Sequence, residues 1–263
     1  NGPFKDFSLN VERLPVPNAE NINEVKKQLV AHVTKGNVAA FVYEPLVQGA
    51  AAMKMHKPEH LNELLEIAKR NDVITIADEV MTGFGKTGKN FASEYMTQLP
   101  DIMCLSKSLT GGLVPMAITS CSEEIYNAFL GPNMEKGFFH GHTYSANPTS
   151  CTAALASIEL LNSDEIQKNI KRIRLSHKTF ISKIEKHPKV RNTRQQGIIL
   201  AIDLNVETDR YGDLRFKLFN FYMSKGIYLR PLGNTVYVLA PYIISDVQLS
   251  KIYKAIEDSF EIL

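Results

Sequence analysis

Asp78 and Lys107 each stand at the end of a short apolar run that predicts a buried strand. The carboxyl ends of parallel strands meet at one edge of an α/β sheet, where such sheets bind their ligands. A carboxylate and an amine at that edge fit two interpretations. They form a buried ion pair, or they hold pyridoxal phosphate, whose aldehyde needs a lysine and whose ring nitrogen needs an acid to stay protonated. Gly111 and Gly112, just after Lys107, would let a ligand approach the backbone closely.

A glycine-rich segment, Gly83-Phe84-Gly85-Lys86-Thr87-Gly88, matches the G-x-G-x-x-G pattern of dinucleotide-binding proteins and nearly matches a P-loop. The dinucleotide pattern runs directly into a helix, whereas no long helix fits between these glycines and Pro100. A P-loop needs Ser or Thr after its lysine to bind magnesium, but Asn90 follows Lys89. We therefore interpret the segment as a structural turn.

Other polar residues carry weaker signals. His140 and His142 flank a glycine, but two histidines without a third ligand nearby are weak evidence for a metal site, so we expect no metal. Thr143 beside them offers a hydroxyl to a phosphate group. Arg230, just before Pro231, is either a solvated surface charge or a guanidinium that binds a substrate carboxylate through two hydrogen bonds.

Alternating strand and helix patterns in the first part of the chain predict an α/β unit with a mostly parallel sheet. Apolar runs predict strands at 38–43, 73–77, 102–105 and 116–119, and the first run suits a strand buried on both faces. Helical spacing predicts one helix that begins after Asn21 and another at 58–71. Three prolines within residues 1–20 predict an extended leading segment.

The pattern changes after Pro148. Two successive helices up to about residue 184, strands at 197–204 and 236–239, and a last helix at 246–260 predict a smaller α+β unit. We expect residues 1–160 to form part of a large ligand-binding domain and residues 161–263 to form a small C-terminal domain.

The composition is that of an ordinary globular chain. Of the 263 residues, 44% are hydrophobic and 22% are charged, and the net charge of +2 argues against a nucleic-acid-binding surface as the main function. Three cysteines without paired spacing predict free thiols in a reducing compartment. No apolar run approaches the about 18 residues of a membrane span, and Asn1 to Asp6 lack a signal-peptide pattern. We therefore expect a cytoplasmic protein that binds no membrane.

Several segments, in order and at family-like spacing, resemble the class III, pyridoxal-phosphate-dependent aminotransferases. The likeness runs from about residue 38 to the C-terminus, and these segments carry it: Glu44–Ala50, Ile76–Val80, Thr82–Gly88, Pro100–Gly112, Phe139–Tyr144, Leu229–Gly233 with Tyr237, and Pro241–Ile244. The resemblance implies the fold type I of these transferases, similar to aspartate aminotransferase, with a large domain of mostly parallel sheet and a small α+β domain. Within the family, it points to members that transfer the amino group of S-adenosylmethionine to 8-amino-7-oxononanoate in biotin biosynthesis.

The resemblance also implies roles for individual residues. Lys107 would form the Schiff base with pyridoxal phosphate and move a proton, and Asp78 would pair with the ring nitrogen. Val80 would pack on the ring, while Thr143, with His142 beside it, would hold the cofactor phosphate of the neighbouring subunit in a homodimer with shared active sites. The substrates would be met by a set of four residues: Lys107, Gly141, Arg230 and Tyr237. Arg230 would bind the acceptor's carboxylate.

The chain also departs from the family pattern. Lys86 stands where family members commonly have arginine, so a planar, two-pronged contact is lost there. His142 replaces a residue that is often proline. The N-terminal part of the family has no counterpart here, so we expect a C-terminal fragment of somewhat under two-thirds of a member. Two alternatives remain: a catalytically inactive fragment, or another ω-aminotransferase with a different amino donor.

Overall fold

The computed structural model describes residues 9–263. Asn1 to Asp6 and the first part of the predicted leading segment lie outside the described residues. The α-helices are α1 Ile22–Val33, α2 Pro58–Arg70, α3 Glu123–Ala128, α4 Pro148–Leu161, α5 Asp164–Ile184, α6 Asp213–Ser224 and α7 Asp246–Ser259. The strands are β1 Ala40–Tyr43, β2 Val47–Gln48, β3 Lys54–Met55, β4 Ile74–Asp78, β5 Ile102–Leu105, β6 Ile118–Cys121, β7 Val190–Gln196, β8 Ile199–Leu204 and β9 Thr235–Val238.

The first sheet has the strand order β1-β4-β5-β6, in which β1, β4 and β5 are parallel and β6 is antiparallel to β5. The mostly parallel α/β sheet predicted from the sequence is therefore confirmed. Tyr43 pairs with Ala77, and Asp78 pairs with Cys104. This register brings the ends of three strands to the same edge.

Strand β1 is less buried than its apolar sequence predicts. Val42 is 63% exposed, whereas its neighbour Tyr43 is buried. Successive side chains of a strand point to opposite faces, and the helices α1 and α2 share a core with Phe41 on one face only. The prediction of burial on both faces was wrong, because within residues 9–263 the face that carries Val42 is left largely exposed.

The helices α1 and α2 pack through apolar residues at helical spacing. In α2, Leu61, Leu64, Leu65 and Ala68 are buried, and Pro58 occupies the first turn, where its missing N–H is not needed. Asn21 precedes α1 as predicted, but its Oδ1 accepts from the Asn18 amide (2.7 Å) rather than from the helix. These two helices support the strand that ends at the sheet edge.

The second part of the chain forms an antiparallel sheet, β7-β8-β9, packed against helices α5 to α7. Its centre is β8, whose residues Ile199 to Ile202 are fully buried. The same apolar cluster also contains Phe84, Leu105 and Leu109 from the first part of the chain. The division at residue 160 stays a prediction, since the two parts share one core.

The three cysteines, Cys104, Cys121 and Cys151, are free thiols. Within residues 9–263, no helix is both long and apolar enough to cross a bilayer. In the same range, no three His, Cys, Asp or Glu side chains are grouped in a way that would hold a metal ion.

Candidate active site

Three polar residues meet at the carboxyl edge of the first sheet: Glu44 after β1, Asp78 at the end of β4, and Lys107 just after β5. Lys107 is exposed and begins the short 3₁₀ helix Lys107–Thr110. Its φ is +40°, a left-handed conformation that costs a non-glycine residue about 1–2 kcal/mol. Strain of this kind clusters at functional sites, and Lys107 is one of seven non-glycine residues with a positive φ within residues 9–263.

Glu44 shows that Asp78 and Lys107 act on the same space. Burial raises the pKa of Glu44, the Gly49 amide that donates to its Oε2 (2.8 Å) partly offsets this, Asp78 raises the pKa further, and Lys107 lowers it. Both charges are therefore near the Glu44 carboxyl. The sequence indicates Glu44 only as a strand-end residue, and its half-buried place between these charges comes from the strand register.

Asp78 is half-buried, and its Oδ1 accepts a hydrogen bond from the Val80 amide (3.0 Å). Among the ion pairs formed within residues 9–263, none includes Asp78 or Lys107. Of the two interpretations of the pair, the buried ion pair is therefore not what the structure contains. The Asp78 carboxylate and the Lys107 amine both lie at the edge of the sheet and form no ion pair with each other.

The glycine-rich segment 83–88 forms a turn, as predicted, and no α-helix follows it before Pro100. The Gly85 amide donates to the Asn90 carbonyl (3.0 Å). Glu79 stabilises the turn. Its carboxylate is fully buried and accepts hydrogen bonds from the Thr82 hydroxyl (2.6 Å) and the Ser93 amide (2.6 Å). The nucleotide-binding alternatives are excluded, because the helix that they require is missing.

This turn carries Lys86 to the candidate site. The Lys86 ammonium donates a hydrogen bond to the hydroxyl of Ser108, the residue after Lys107. Burial, and secondly the charge of Lys107, lowers the pKa of Lys86 to about 8. Lys86 therefore contacts the edge through one hydrogen bond and its charge.

The segment that contains Gly141, His142 and Thr143 is a surface loop. All three residues are exposed, between the 3₁₀ helix Met134–Lys136 and α4. His142 Nδ1 accepts from the Tyr144 amide (3.2 Å). No hydrogen bond or ion pair found within residues 9–263 links this segment to Asp78 or Lys107.

Tyr237 and Arg230 belong to the C-terminal part of the chain, Tyr237 within β9 and Arg230 in the segment before it. Tyr237, on β9, is half-buried and packs against the cluster that contains Tyr43 and Leu46, directly around the loop that follows β1. Arg230 is exposed and lines a shallow cavity of about 200 Å³. The loop after β1 is held by Arg194, which donates to the carbonyls of Ala52 and Met53 (2.8 Å to the latter).

Comparison with known proteins gives a consistent family. A model of the family "Aminotransferase class-III" matches residues 2–260. An "Adenosylmethionine-8-amino-7-oxononanoate aminotransferase" of Synechococcus elongatus is 40% identical, covering 98% of this chain and 62% of its own length. The protein of that name from Methanocaldococcus jannaschii is 36% identical, covering 91% and 55%. The chain thus spans between about half and somewhat under two-thirds of the length of the curated relatives that it matches.

Solved structures agree with the family. The structure of the Methanocaldococcus jannaschii enzyme superposes with a TM-score of 0.81 at 31% identity, covering 89% of this chain and 57% of that one. An amine transaminase of an uncultivated Pseudomonas species, in its PLP-bound form, gives 0.83 at 27% identity, covering 92% and 56%. The fold is therefore the predicted fold type I of pyridoxal-phosphate-dependent transferases. On the match of almost its whole length to one family model, the chain belongs to the class-III aminotransferases.

Proposed function

We propose that this chain carries the catalytic lysine of an aminotransferase that moves the amino group of S-adenosylmethionine to 8-amino-7-oxononanoate, giving 7,8-diaminononanoate for biotin biosynthesis. Relatives that bear the corresponding name are up to 40% identical across nearly the whole chain. The observation that carries the proposal is the pair Asp78 and Lys107, which stand unpaired at adjacent strand ends and both influence the Glu44 carboxyl.

The residues at the edge fit pyridoxal phosphate. The group supplies an aldehyde that captures amines and a protonated ring that accepts electrons. Lys107 has an exposed amine without an ion-pair partner to meet the aldehyde, and Asp78 has a half-buried carboxylate suited to a ring N–H. Val80, whose backbone is tied to Asp78, would pack on the ring. Thr143, with His142 beside it, would bind the phosphate, in the family manner from the partner subunit.

Each residue then has a defined role. Lys107 Nζ binds the cofactor, and once free it takes the proton from the α-carbon of the donor and returns a proton to the product. Asp78 keeps a proton on the ring nitrogen by placing a negative charge beside it. Arg230 orients the acceptor through its carboxylate. Gly141 and Tyr237 complete the walls of the substrate site.

We also propose a homodimer with shared active sites in the cytoplasm. Thr143 is exposed on the described chain, which supports a role in the partner's site. The chain on both sides of this segment carries exposed apolar side chains, among them Phe139 (82% exposed) and Leu155 (70% exposed). Burying them against a second copy would remove apolar area from water. Three free thiols fit a reducing compartment.

Reduction of the holoenzyme with borohydride tests the assignment of Lys107. We expect the cofactor label to appear on the peptide that contains Lys107, because this amine stands at the sheet edge. Lys107→Ala should reduce turnover with S-adenosylmethionine as donor by at least about a hundredfold, the usual range for a lost proton-transfer group. Peptide mapping and a coupled product assay provide the measurements.

Lys171→Ala is the matched control, since Lys171 is an exposed lysine on α5. It should keep both the labelling and the turnover. Labelling of another lysine in the wild-type holoenzyme would contradict the assignment of Lys107. Turnover with simple amines but not with S-adenosylmethionine would contradict the proposed donor and support another ω-aminotransferase.

A further inference from the structure

A shallow cavity of about 200 Å³ in the C-terminal part is lined by three arginines. Arg210 lies in the turn before α6, Arg215 lies in the first turn of α6, and Arg230 lies in the segment before β9. Tyr211, Pro231 and Leu232 complete the lining. Within residues 9–263, no carboxylate lies within 4.0 Å of any of the three guanidinium groups. Three like charges therefore share one opening without a counter-ion from the chain.

Arg210 and Arg215 contact aromatic rings. The guanidinium carbons of Arg210 and Arg215 lie 5.6 and 5.8 Å from the centre of the Tyr211 ring, and that of Arg215 lies 5.0 Å from the Phe216 ring. Contacts of this type stabilise a cation over an aromatic face. A ligand that binds guanidinium groups ordered in advance loses less entropy on binding.

The backbone brings Arg210 to the Arg230 segment. Gly233 has φ +61°, and a Cβ atom there would lie 3.3 Å from the Cα of Arg210. Because Gly233 has no side chain, the segment that follows Arg230 can approach the backbone of Arg210. The grouping of Arg210 and Arg230 is thus a product of the fold rather than of a chance meeting of two long side chains.

The cavity borders the loop that leads to the sheet edge. Arg210 Nη2 donates to the Ala50 carbonyl (2.7 Å), and the neighbouring Gly49 amide donates to Glu44 Oε2 (2.8 Å). Glu44 in turn lies near Asp78 and Lys107. Hydrogen bonds therefore join the arginine cavity to the loop that holds Glu44, and Glu44 feels the charges of Asp78 and Lys107.

We propose that Arg210 and Arg215 join Arg230 in a carboxylate-binding pocket that selects the acceptor substrate by its terminal carboxylate, an inference that rests on the proposed function. The acceptor is an aliphatic chain that ends in a carboxylate, and guanidinium groups bind that group through paired hydrogen bonds. Arg210 and Arg215 are then specificity-determining residues. An acceptor of the same length without the carboxylate leaves three unpaired cations and is rejected.

Steady-state kinetics of the holoenzyme test the pocket. Arg210→Ala and Arg215→Ala should each raise the KM of the acceptor about tenfold while leaving the kcat and the KM of the donor unchanged, as expected for a lost ground-state contact to a charged group. Arg210→Lys and Arg215→Lys, which keep the charge, should show a smaller rise. Arg70→Ala, at an exposed arginine on α2, is the control and should not change either KM.

Direct binding of a simple probe separates the pocket from the reaction. Nonanoate should bind the holoenzyme in titration calorimetry, nonanamide should not, and the alanine variants should weaken nonanoate binding about tenfold. Unchanged acceptor KM and unchanged nonanoate affinity in the arginine variants would overturn the pocket. If nonanoate binds through these arginines but no amino transfer to the acceptor occurs, the pocket stands as a carboxylate site and the proposed function fails. Should the alanine variants not fold, the lysine variants decide by the same two measurements.

Discussion

At the scale of single residues, His177 shows how a buried histidine can be fully explained by structure. It is completely buried on α5, and its Nε2 lies 3.0 Å from the Ile198 carbonyl, which can only accept, so Nε2 carries the proton. Nδ1 then accepts from the Tyr253 hydroxyl (2.7 Å). Burial lowers the pKa of His177 to about 4, against a smaller opposing effect of the Ile198 carbonyl. The neutral ring is a part of the core.

This pKa predicts a pH dependence of stability. In the unfolded chain His177 titrates near its ordinary value of about 6.5, so between about pH 6.5 and 4 the unfolded state binds more protons than the folded state. The contribution of the neutral ring is complete above about pH 6.5 and is lost as the pH falls toward 4, with a slope of at most about 1.4 kcal/mol per pH unit. Urea unfolding at several pH values measures it.

Two variants separate His177 from the other titrating groups. His177→Gln should reduce this slope, while His140→Gln, at an exposed histidine, should leave it as in the wild type. An unchanged slope in His177→Gln would mean that other groups cause the acid sensitivity.

The site residues were predictable from sequence where local signals exist. Asp78 and Lys107 end apolar runs, and this alone places them at one sheet edge. Glu44 carries the same strand-end signal, but its position between two charges depends on the register of β1. Arg210 and Arg215 gave no signal at all, because their grouping with Arg230 arises from contacts between distant segments.

At the scale of elements, the tight turn between β7 and β8 depends on Gly197. Its φ is +57°, and a Cβ atom there would lie 2.3 Å from the Lys86 carbonyl oxygen and 2.5 Å from the Gly88 nitrogen. The Ile198 amide donates to the same Lys86 carbonyl (2.9 Å). The turn of the C-terminal sheet and the glycine-rich turn therefore touch backbone to backbone.

Gly197→Ala should destabilise the fold by at least about 3 kcal/mol, since left-handed strain adds to a clash that only a backbone shift can relieve. Gly36→Ala is the matched control, because Gly36 has φ +69° but nothing within 4 Å of its Cβ position. That variant should lose only about 1 kcal/mol. Chemical denaturation compares the two, and equal losses would show that the contact with Lys86 is unimportant.

The helices and strands that the sequence predicts differ from those that it misses in the pattern of their apolar residues. β4, β5 and α2 follow apolar patterns, and their predicted bounds differ by at most one residue from the observed ones. β7 was missed, since its sequence VRNTRQQ is almost entirely polar and only pairing with β8 makes it a strand. α6 was missed as well. Its apolar residues surround much of the helix, with just Leu218 and Tyr222 buried, so no single stripe reveals it.

At the scale of the whole molecule, many large apolar side chains are exposed to solvent on the single chain. They concentrate between residues 113 and 160: Leu113, Phe129, Leu130, Met134, Phe138, Phe139, Tyr144, Leu155, Ile158 and Leu160. Exposed apolar side chains that form a contiguous patch mark interaction surfaces in soluble proteins. The proposed homodimer would cover them and bring Thr143 to the partner's lysine.

Charge at this surface should break the proposed dimer. Phe139→Glu combined with Leu155→Glu places two carboxylates where apolar contact is needed, and the variant should sediment as a monomer in analytical ultracentrifugation. It should also lose turnover, since in the proposed dimer Thr143 of the partner binds the cofactor phosphate. Val247→Glu, at an 80% exposed residue on α7, is the control and should remain dimeric. A dimeric double variant would place the interface elsewhere.

The backbone contact between the Gly197 turn and the Lys86 turn limits how this sequence can diverge. A loop that touches only water tolerates insertions, but these two loops, more than a hundred positions apart, meet through main-chain atoms. An insertion or deletion in one changes the length that the other must match. In an alignment of related sequences, insertions and deletions should therefore fall outside these two turns, and both turns should keep a constant length.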